Sequence, residues 1–307
     1  MLRFLKQLFG NKPAPAPALS RNVEDFMDTD VRAIVVTDLG NIRTNNEDAG
    51  RFIRMSEEKI RDEKGYLAIV ADGMGGHAAG EIASQWAVEI IAQHYFKLTG
   101  DIETCLRKAI EEANRVIYAE AQRNTQRKGM GTTCTVAVVK GQKVYFAQVG
   151  DSRLYHLHDG QLYQLTQDQT VVQEMVRQGT LKPEEAERHP NRNVLSNALG
   201  TKPSLKVETG QATLPFDAED RLLLCSDGLY DYFRHEEITN FLMIQPLKES
   251  AYSLVNTAKL RGGHDNITVV VVEWQTVLAT TPERVTTDLD LPESPALRPT
   301  SDFETLQ

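Results

Sequence analysis

The chain places five aspartates at the ends or edges of hydrophobic, strand-like runs that lie far apart in the sequence. They are Asp48, Asp72, Asp151, Asp227 and Asp265. A carboxylate at a buried strand end carries a large desolvation cost unless positive charge compensates it. A cap or a turn explains one such residue, but five of them require a stronger cationic partner. Hard divalent cations prefer carboxylate, carbonyl and water oxygens as ligands, so the pattern predicts a metal centre.

Composition excludes several classes of protein. With 307 residues and 41% hydrophobic content, the chain is long enough to bury one large core or two modest ones. A net charge of -9 without a long basic stretch argues against a nucleic-acid partner. The three cysteines are odd in number and scattered, and the sequence has no bilayer-spanning run and no signal peptide. We therefore expect a cytoplasmic protein, and a monomer.

The two ends of the chain differ from its middle. Residues 1–10 place apolar side chains at helical spacing, and a proline- and alanine-rich spacer follows up to residue 20. This segment is either a short helix that docks on a membrane surface or a partner, or a frayed terminus, since about ten residues form only a marginal helix alone. Residues 276–307 are rich in Thr, Pro and acidic residues and lack apolar periodicity, which predicts a disordered tail.

The middle of the chain, residues 21–275, is strand-rich with a few clear helices. Apolar periodicity predicts helices at 80–96, 102–121 and 247–260. Apolar and β-branched runs predict strands at 66–71, 132–139, 144–149, 154–157, 162–165, 221–225 and 267–274. Tight glycine turns after residues 139 and 157 indicate antiparallel hairpins within a β meander. The order of these elements favours an α+β domain, with helices packed on antiparallel sheet. The polar stretch at about 167–200 is predicted to be a surface flap.

Several familiar catalytic loops are excluded. The segment Asp72-Gly-Met-Gly-Gly-His77 lies between a predicted strand and a predicted helix, but a dinucleotide loop requires glycine where the chain has Ala78, and no P-loop lysine follows. A cysteine-based phosphatase requires arginine six positions after its cysteine, where this chain has Glu, Lys and Asp. A Gly-x-Ser-x-Gly elbow is also absent. The glycines after Asp72 are better explained by close approach of the backbone to a metal ion or its waters.

Three residues near the aspartates have two interpretations each. His77 is either a general acid or a residue that caps or packs the following helix. Arg43 either neutralises a carboxylate or binds phosphoryl oxygens with its planar fork. Asp151 is either part of the metal centre or an ordinary turn residue in Gly-Asp-Ser-Arg.

Read together, the motifs resemble those of the metal-dependent type 2C protein phosphatases (the PPM family), over roughly residues 31–274. In chain order they are Arg43 with Asn46-Glu47-Asp48, Asp72-Gly-Met-Gly-Gly-His77, Gly131-Thr-Thr133, Gly150-Asp151-Ser-Arg153, Ser226-Asp227-Gly228 and Asp265-Asn266. The form of the second motif, and the sequence from Glu184 to Gly200, are similar to the bacterial branch. The resemblance implies a four-layer α-β-β-α sandwich of two antiparallel sheets flanked by helices, with residues 21–275 as the catalytic domain.

The resemblance also implies roles for individual residues. Asp48, Asp72 and the carbonyl of Gly73 would hold one ion, and Asp72, Asp227 and Asp265 would hold a second. The ions would be Mn²⁺ or Mg²⁺, with Asp151 at the position of a third. Glu47 would bond to metal-bound water, Arg43 would bind the substrate phosphate, and His77 would be the acid. This chain departs from the family's patterns at two places. In the eukaryotic branch the histidine directly follows Asp-Gly, whereas here Met-Gly-Gly intervenes before His77. The flap of this chain has Ser196-Asn197 where many bacterial relatives are expected to have a Thr-Arg-like pair.

The implied reaction is direct hydrolysis of phosphoserine or phosphothreonine on proteins by water activated between two metal ions. The implied partners are phosphorylated proteins, including a serine/threonine kinase of the eukaryotic type and its targets. Two alternatives remain open. One is a catalytically silent phosphoprotein-binding module on the same fold, for which degenerate metal positions would be the sign. The other is the sporulation-type branch with one dedicated partner, which commonly lacks the arginine found here as Arg43.

Overall fold

The framework of the protein is a pair of antiparallel β-sheets. The computed structural model describes residues 21–28, 30–75, 78–186 and 188–275. In spatial order, the first sheet contains Arg21–Met27 (β1), Val31–Asp38 (β2), Ile267–Trp274 (β12), Arg221–Cys225 (β11), Arg153–His158 (β8) and Gln161–Gln164 (β9). The second contains Glu208–Gln211 (β10), Lys143–Val149 (β7), Cys134–Lys140 (β6), Tyr66–Met74 (β4) and Asp48–Ile53 (β3), and Gly131–Thr132 (β5) also pairs with β4.

The longer helices cover the outer faces of both sheets. In chain order, the helices of the described residues are Glu58–Lys64 (α1), Ala78–Lys97 (α2), Ile102–Arg123 (α3), Val171–Arg177 (α4), Pro183–Ala186 (α5), Asp227–Tyr230 (α6), His235–Leu242 (α7) and Leu247–Leu260 (α8), with a 3₁₀ turn at Thr125–Arg127. The long helices α2 and α3 share one buried apolar cluster with the second sheet, and α7 and α8 share another with the first. A third cluster fills the space between the sheets. These layers confirm the α-β-β-α sandwich.

The predicted β meander is wrong in one respect. The two hairpins form as expected and join β6 to β7 and β8 to β9. However, β7 and β8 lie in different sheets. Where the chain crosses, Gly150 has φ +102° and a Cβ there would lie 2.7 Å from the side chain of Thr133, so the crossing requires glycine. Hairpin signals report the pairing of adjacent strands and do not reveal which sheet each hairpin joins.

The segment predicted as a flap follows β9 and contains α4 and α5. An isolated β-bridge between Thr170 and Leu195 joins the two ends of this segment to each other, and a second bridge, between Leu199 and Thr132, joins it to the body of the domain. Among the described residues, no helix is long and apolar enough to cross a membrane. The predictions for residues 1–20 and 276–307 lie outside the described residues, and the proposed domain boundaries stay predictions.

Arg221 allows a test of how burial changes the contribution of an ion pair to the free energy of unfolding. Its side chain is 2% exposed and lies 2.6 Å from Glu273, whereas Arg115 lies 2.5 Å from Glu112 with 57% of its side chain exposed. Removing one partner of a buried pair leaves an uncompensated charge, while an exposed pair contributes little. We expect Arg221→Ala to lower the free energy of unfolding by about 3 kcal/mol, and Arg115→Ala by less than about 1 kcal/mol. Urea denaturation measures both, and equal losses would contradict the argument.

Candidate metal centre

The first two aspartates of the candidate centre face each other across neighbouring strands. Asp48 on β3 pairs directly with Asp72 on β4. The hydroxyl of Ser226 donates to Asp48 Oδ2 at 2.7 Å, and the backbone N–H of Asp72 donates to the hydroxyl of Thr133 at 2.9 Å. At Gly73 a Cβ would lie 2.2 Å from the carbonyl oxygen of Gly80, so only glycine permits this path of the backbone. These contacts fix the carboxylate of Asp48 and the backbone at Asp72 and Gly73 in position.

Asp227 and Asp265 come from the first sheet. Asp227 begins α6 directly after β11, and Asp265 precedes β12, which pairs with β11. A Cβ at Gly228 would lie 1.9 Å from the carbonyl oxygen of Asn266, which shows how closely the two segments approach. Asn266 is buried, and its side-chain carbonyl accepts the backbone N–H of Glu47 at 2.8 Å. This contact ties the Asp265 segment of one sheet to the Glu47 segment that leads into the other.

These side chains converge on one cleft of about 640 Å³. We call it the acidic cleft, and its acidic lining residues are Glu47, Asp72, Asp151, Asp227 and Asp265. Arg43 also lines the cleft and donates to Asp265 Oδ2 at 2.7 Å. Gly73 lines it as well, while Asp48 is buried behind it, opposite Asp72. Apart from His77, which lies outside the described residues, every predicted site residue is therefore at this cleft or in its wall.

Several aspartates at the acidic cleft have raised pKa values, because burial and the neighbouring carboxylates disfavour their ionised forms. Burial raises the pKa of Asp48 to about 6 and that of Asp151 to about 7. For Asp72 and Asp227, desolvation and then the neighbouring aspartates raise the pKa well above its usual value of 3.8. The largest carboxylate contribution to the shift at Asp72 comes from Asp48, and at Asp227 from Asp151. The cleft thus concentrates carboxyl groups whose ionised forms repel one another unless a cation is present.

The donor set fits divalent cations. Among the described residues, Oδ1 of Asp227 is buried without a hydrogen-bond partner, although most buried polar atoms have one. A carboxylate oxygen left in this way, beside other carboxylates, is a ligand position for a hard cation such as Mn²⁺ or Mg²⁺. Cysteine chemistry is unsupported, because all three thiols are buried and burial raises the pKa of Cys225 to about 12.

The sequence did not single out several polar residues that shape the site. Ser226 donates to the carboxylate of Asp48, and the hydroxyl of Thr133 accepts the backbone N–H of Asp72. Asn266 connects the two sides of the acidic cleft. Thr133, Ser226 and Asn266 all occur in the motifs, but none of them had a predicted role. Lys202, together with Ser196 and Asn197 of the flap, also lines the cleft. A lysine in a polar loop carries no sequence signal that sets it apart from other surface lysines.

Comparison with known proteins finds relatives over most of the chain. A family model described as protein phosphatase 2C matches residues 44–262. The serine/threonine phosphatase stp of Listeria welshimeri is 40% identical over 243 residues, which cover 77% of this chain and 93% of that protein. The crystal structure of the Mycobacterium tuberculosis serine/threonine phosphatase PstP/Ppp has a TM-score of 0.69 and 38% identity, covering 80% of this chain and 100% of that one. The PstP catalytic domain in complex with two manganese ions has a TM-score of 0.67 and 36% identity, covering 80% and 99%.

The raised pKa values predict how the stability of the metal-free protein depends on pH. Because the folded state raises the pKa of Asp48 to about 6 and of Asp151 to about 7, protonation favours folding. This contribution is complete below the unfolded pKa, near 3.8, and is lost as the pH rises through 6 to 7. In EDTA, we expect the free energy of unfolding to fall by about 4 kcal/mol between about pH 5 and pH 8.

Denaturation in urea at several pH values measures this dependence. Asp48→Asn removes one titrating carboxyl from the cleft and should make the dependence on pH shallower. Asp25→Asn is the matched control, since Asp25 lies on edge strand β1 and pairs with Arg32, outside the cleft. Equal slopes for wild type and Asp48→Asn would show that Asp48 does not titrate as described.

Proposed function

The chain belongs to the protein phosphatase 2C family and is a metal-dependent protein-serine/threonine phosphatase, and we propose that the aspartates and Arg43 of the acidic cleft carry out its reaction. The observation that carries this assignment is the convergence of carboxylates from both sheets around the unpartnered oxygen of Asp227. The complete set of aspartates favours catalysis over a silent phosphoprotein-binding module. The presence of Arg43 likewise sets the chain apart from the sporulation-type branch.

We propose that two Mn²⁺ or Mg²⁺ ions bind in the cleft. Asp48, Asp72 and the carbonyl of Gly73 would hold one ion, and Asp72, Asp227 and Asp265 would hold the other. Such a metal pair, when bound, lowers the pKa of water so that it attacks phosphorus near neutral pH. Asp151 is the proposed ligand for a third ion, because its carboxylate lines the same cleft.

The remaining residues bind and orient the reactants. Arg43 presents a half-exposed guanidinium at the cleft, where it would bind phosphoryl oxygens in the transition state. Glu47 would accept a hydrogen bond from the attacking water, since it lines the cleft beside Asp72. The new bond joins the water oxygen to phosphorus, the bond from phosphorus to the serine or threonine oxygen breaks, and that oxygen takes up a proton. His77 stays a prediction as the donor of this proton.

The physiological substrates are phosphorylated proteins, and we propose that they include a serine/threonine kinase of the eukaryotic type and its targets. The names of the relatives support a phosphoprotein substrate. We also propose that the segment around α4 and α5 contacts the substrate, because residues 193–198 line the acidic cleft. The cytoplasmic location, the monomeric state and docking through residues 1–10 remain predictions.

Hydrolysis of p-nitrophenyl phosphate and of a phosphothreonine peptide tests the role of the acidic cleft. We expect turnover with Mn²⁺, none in EDTA, and a loss of at least about 100-fold for Asp227→Ala, because the variant removes a proposed ligand. Asp25→Ala should retain full activity. Metal binding without turnover of either substrate would favour the silent binding module, and turnover in EDTA would contradict the metal mechanism.

A second prediction concerns Arg43. Removing a hydrogen-bond donor that stabilises charge in the transition state lowers the catalytic rate about 100-fold or more. We therefore expect Arg43→Ala to lower kcat/KM by about that factor. Arg43→Lys should recover only part of it, because lysine lacks the planar fork. Arg54→Ala is the matched control, since Arg54 is similarly exposed and pairs with Asp28 away from the cleft. Unchanged kcat/KM in Arg43→Ala would assign Arg43 to neutralising Asp265 alone.

A further inference from the structure

A second group of metal-ligating side chains lies outside the acidic cleft. It consists of His156 and His158 on β8 and Asp220, the residue before β11. We call it the His-His-Asp cluster. One potential ligand atom from each residue lies within 4.8 Å of the other two. Among the described residues, no other group of three His, Cys, Asp or Glu side chains brings its ligand atoms this close together.

The His-His-Asp cluster lies at the opposite end of the first sheet from the acidic cleft. Strand β8 begins just after Asp151 and ends at His158, and β11 begins just after Asp220 and ends just before Asp227. A strand rises about 3.3 Å per residue, so the seven residues from Asp220 to Asp227 span on the order of 20 Å. The cluster therefore shares no ligand with the proposed catalytic metals.

The distances within the cluster are close to those of a coordinated ion. His156 Nε2 lies 3.1 Å, and His158 Nδ1 lies 2.8 Å, from the same oxygen, Oδ2 of Asp220. Zn²⁺ bonds to imidazole nitrogen and carboxylate oxygen at about 2.0 to 2.2 Å, which separates neighbouring tetrahedral ligands by about 3.3 Å. Binding an ion would therefore require these atoms to move apart by only a few tenths of an ångström.

Hydrogen bonding alone leaves the cluster poorly satisfied. Oδ2 of Asp220 also accepts the backbone N–H of Asp217 at 2.8 Å, so three donors would compete for one oxygen. His156 is fully buried, and its Nδ1 has no hydrogen-bond partner among the described residues. An aliphatic side chain at this position would fill the space beside Phe216 without leaving a buried polar atom unpaired.

The donor atoms select the class of ion. Two imidazole nitrogens and one carboxylate oxygen suit Zn²⁺ and neighbouring transition metals, whereas Mg²⁺ and Mn²⁺ favour oxygen ligands. His158 is 14% exposed, so an ion can enter beside it and water can occupy a fourth position.

From this geometry we propose that His156, His158 and Asp220 bind a Zn²⁺-class ion that links β8 to β11 and stabilises the fold independently of the catalytic metals. Both strands connect the cluster to the acidic cleft, because β8 begins just after Asp151 and β11 ends just before Asp227. The bound ion holds the far ends of these strands together. A ligand that binds only the folded state raises the free energy of unfolding, so the ion should raise the melting temperature.

The test measures binding of Co²⁺ and Zn²⁺ to the full chain in excess Mg²⁺. Co²⁺ reports nitrogen-containing four-coordinate sites by visible absorption. We expect wild type and Asp227→Asn to show this absorption and to gain melting temperature with Zn²⁺, and His158→Gln to lose both responses. His94→Gln, which changes a partly exposed histidine of α2, is the matched control and should respond like wild type.

Two results would overturn the proposal. Equal Co²⁺ absorption in wild type and His158→Gln would place the ion elsewhere, and its loss in Asp227→Asn would assign it to the acidic cleft. If His158→Gln does not fold, a Zn²⁺ anomalous-scattering map of wild-type crystals decides the question without a variant. A peak between the three side chains would support the site, and a map without one there would refute it.

Discussion

The apolar layer between the two sheets holds together carboxylates that repel one another. Strands β2, β4, β11 and β12 all contribute fully buried side chains to this layer, and three of them lead directly to residues of the acidic cleft. Burial and mutual repulsion raise the pKa of Asp72 and Asp227. The free energy of core burial is spread over many side chains, so the fold tolerates a concentrated repulsion at one edge. The result is a rigid site in which a cation relieves repulsion that already exists.

Much of the fold was predictable because its signals are local. The bounds of β11, β12 and α8 agree with the predicted ones, since each is a continuous apolar or periodic run. The short edge strands β1, β3 and β10 were not predicted, because their mixed polar pattern resembles that of a loop. The division of the meander between two sheets was also missed. It depends on packing of β7 and β8 against different neighbours, which no local pattern encodes.

The candidate site was predictable to the extent that its residues lie at strand ends. Aspartates that follow apolar runs can be recognised in the sequence, because burying a carboxylate is unfavourable unless a cation or hydrogen bonds compensate it. Thr133 and Ser226 cannot be recognised in this way, since small hydroxyl residues occur in most strands and turns. The His-His-Asp cluster illustrates a further limit. His156 and His158 share a face of one strand by their spacing, but Asp220 joins them only because β11 pairs with β8. The register of β11 against β8, which only the fold determines, places Asp220 beside the two histidines.

The electrostatics of the acidic cleft impose an order on binding. A chain of net charge -9, with several carboxylates around one cleft, repels a phosphate monoester until cations neutralise them. Arg43 does not offset this repulsion alone, because its guanidinium is already paired with Asp265 at 2.7 Å. A cation bound by Asp265, as proposed, would compete for the same carboxylate and weaken its hold on Arg43. Cation binding would then strengthen phosphate binding, and thermodynamic linkage would make phosphate binding strengthen cation binding by the same factor. On the proposed mechanism, a cleft that repels its own substrate would become a phosphate site because its carboxylates first attract metal ions.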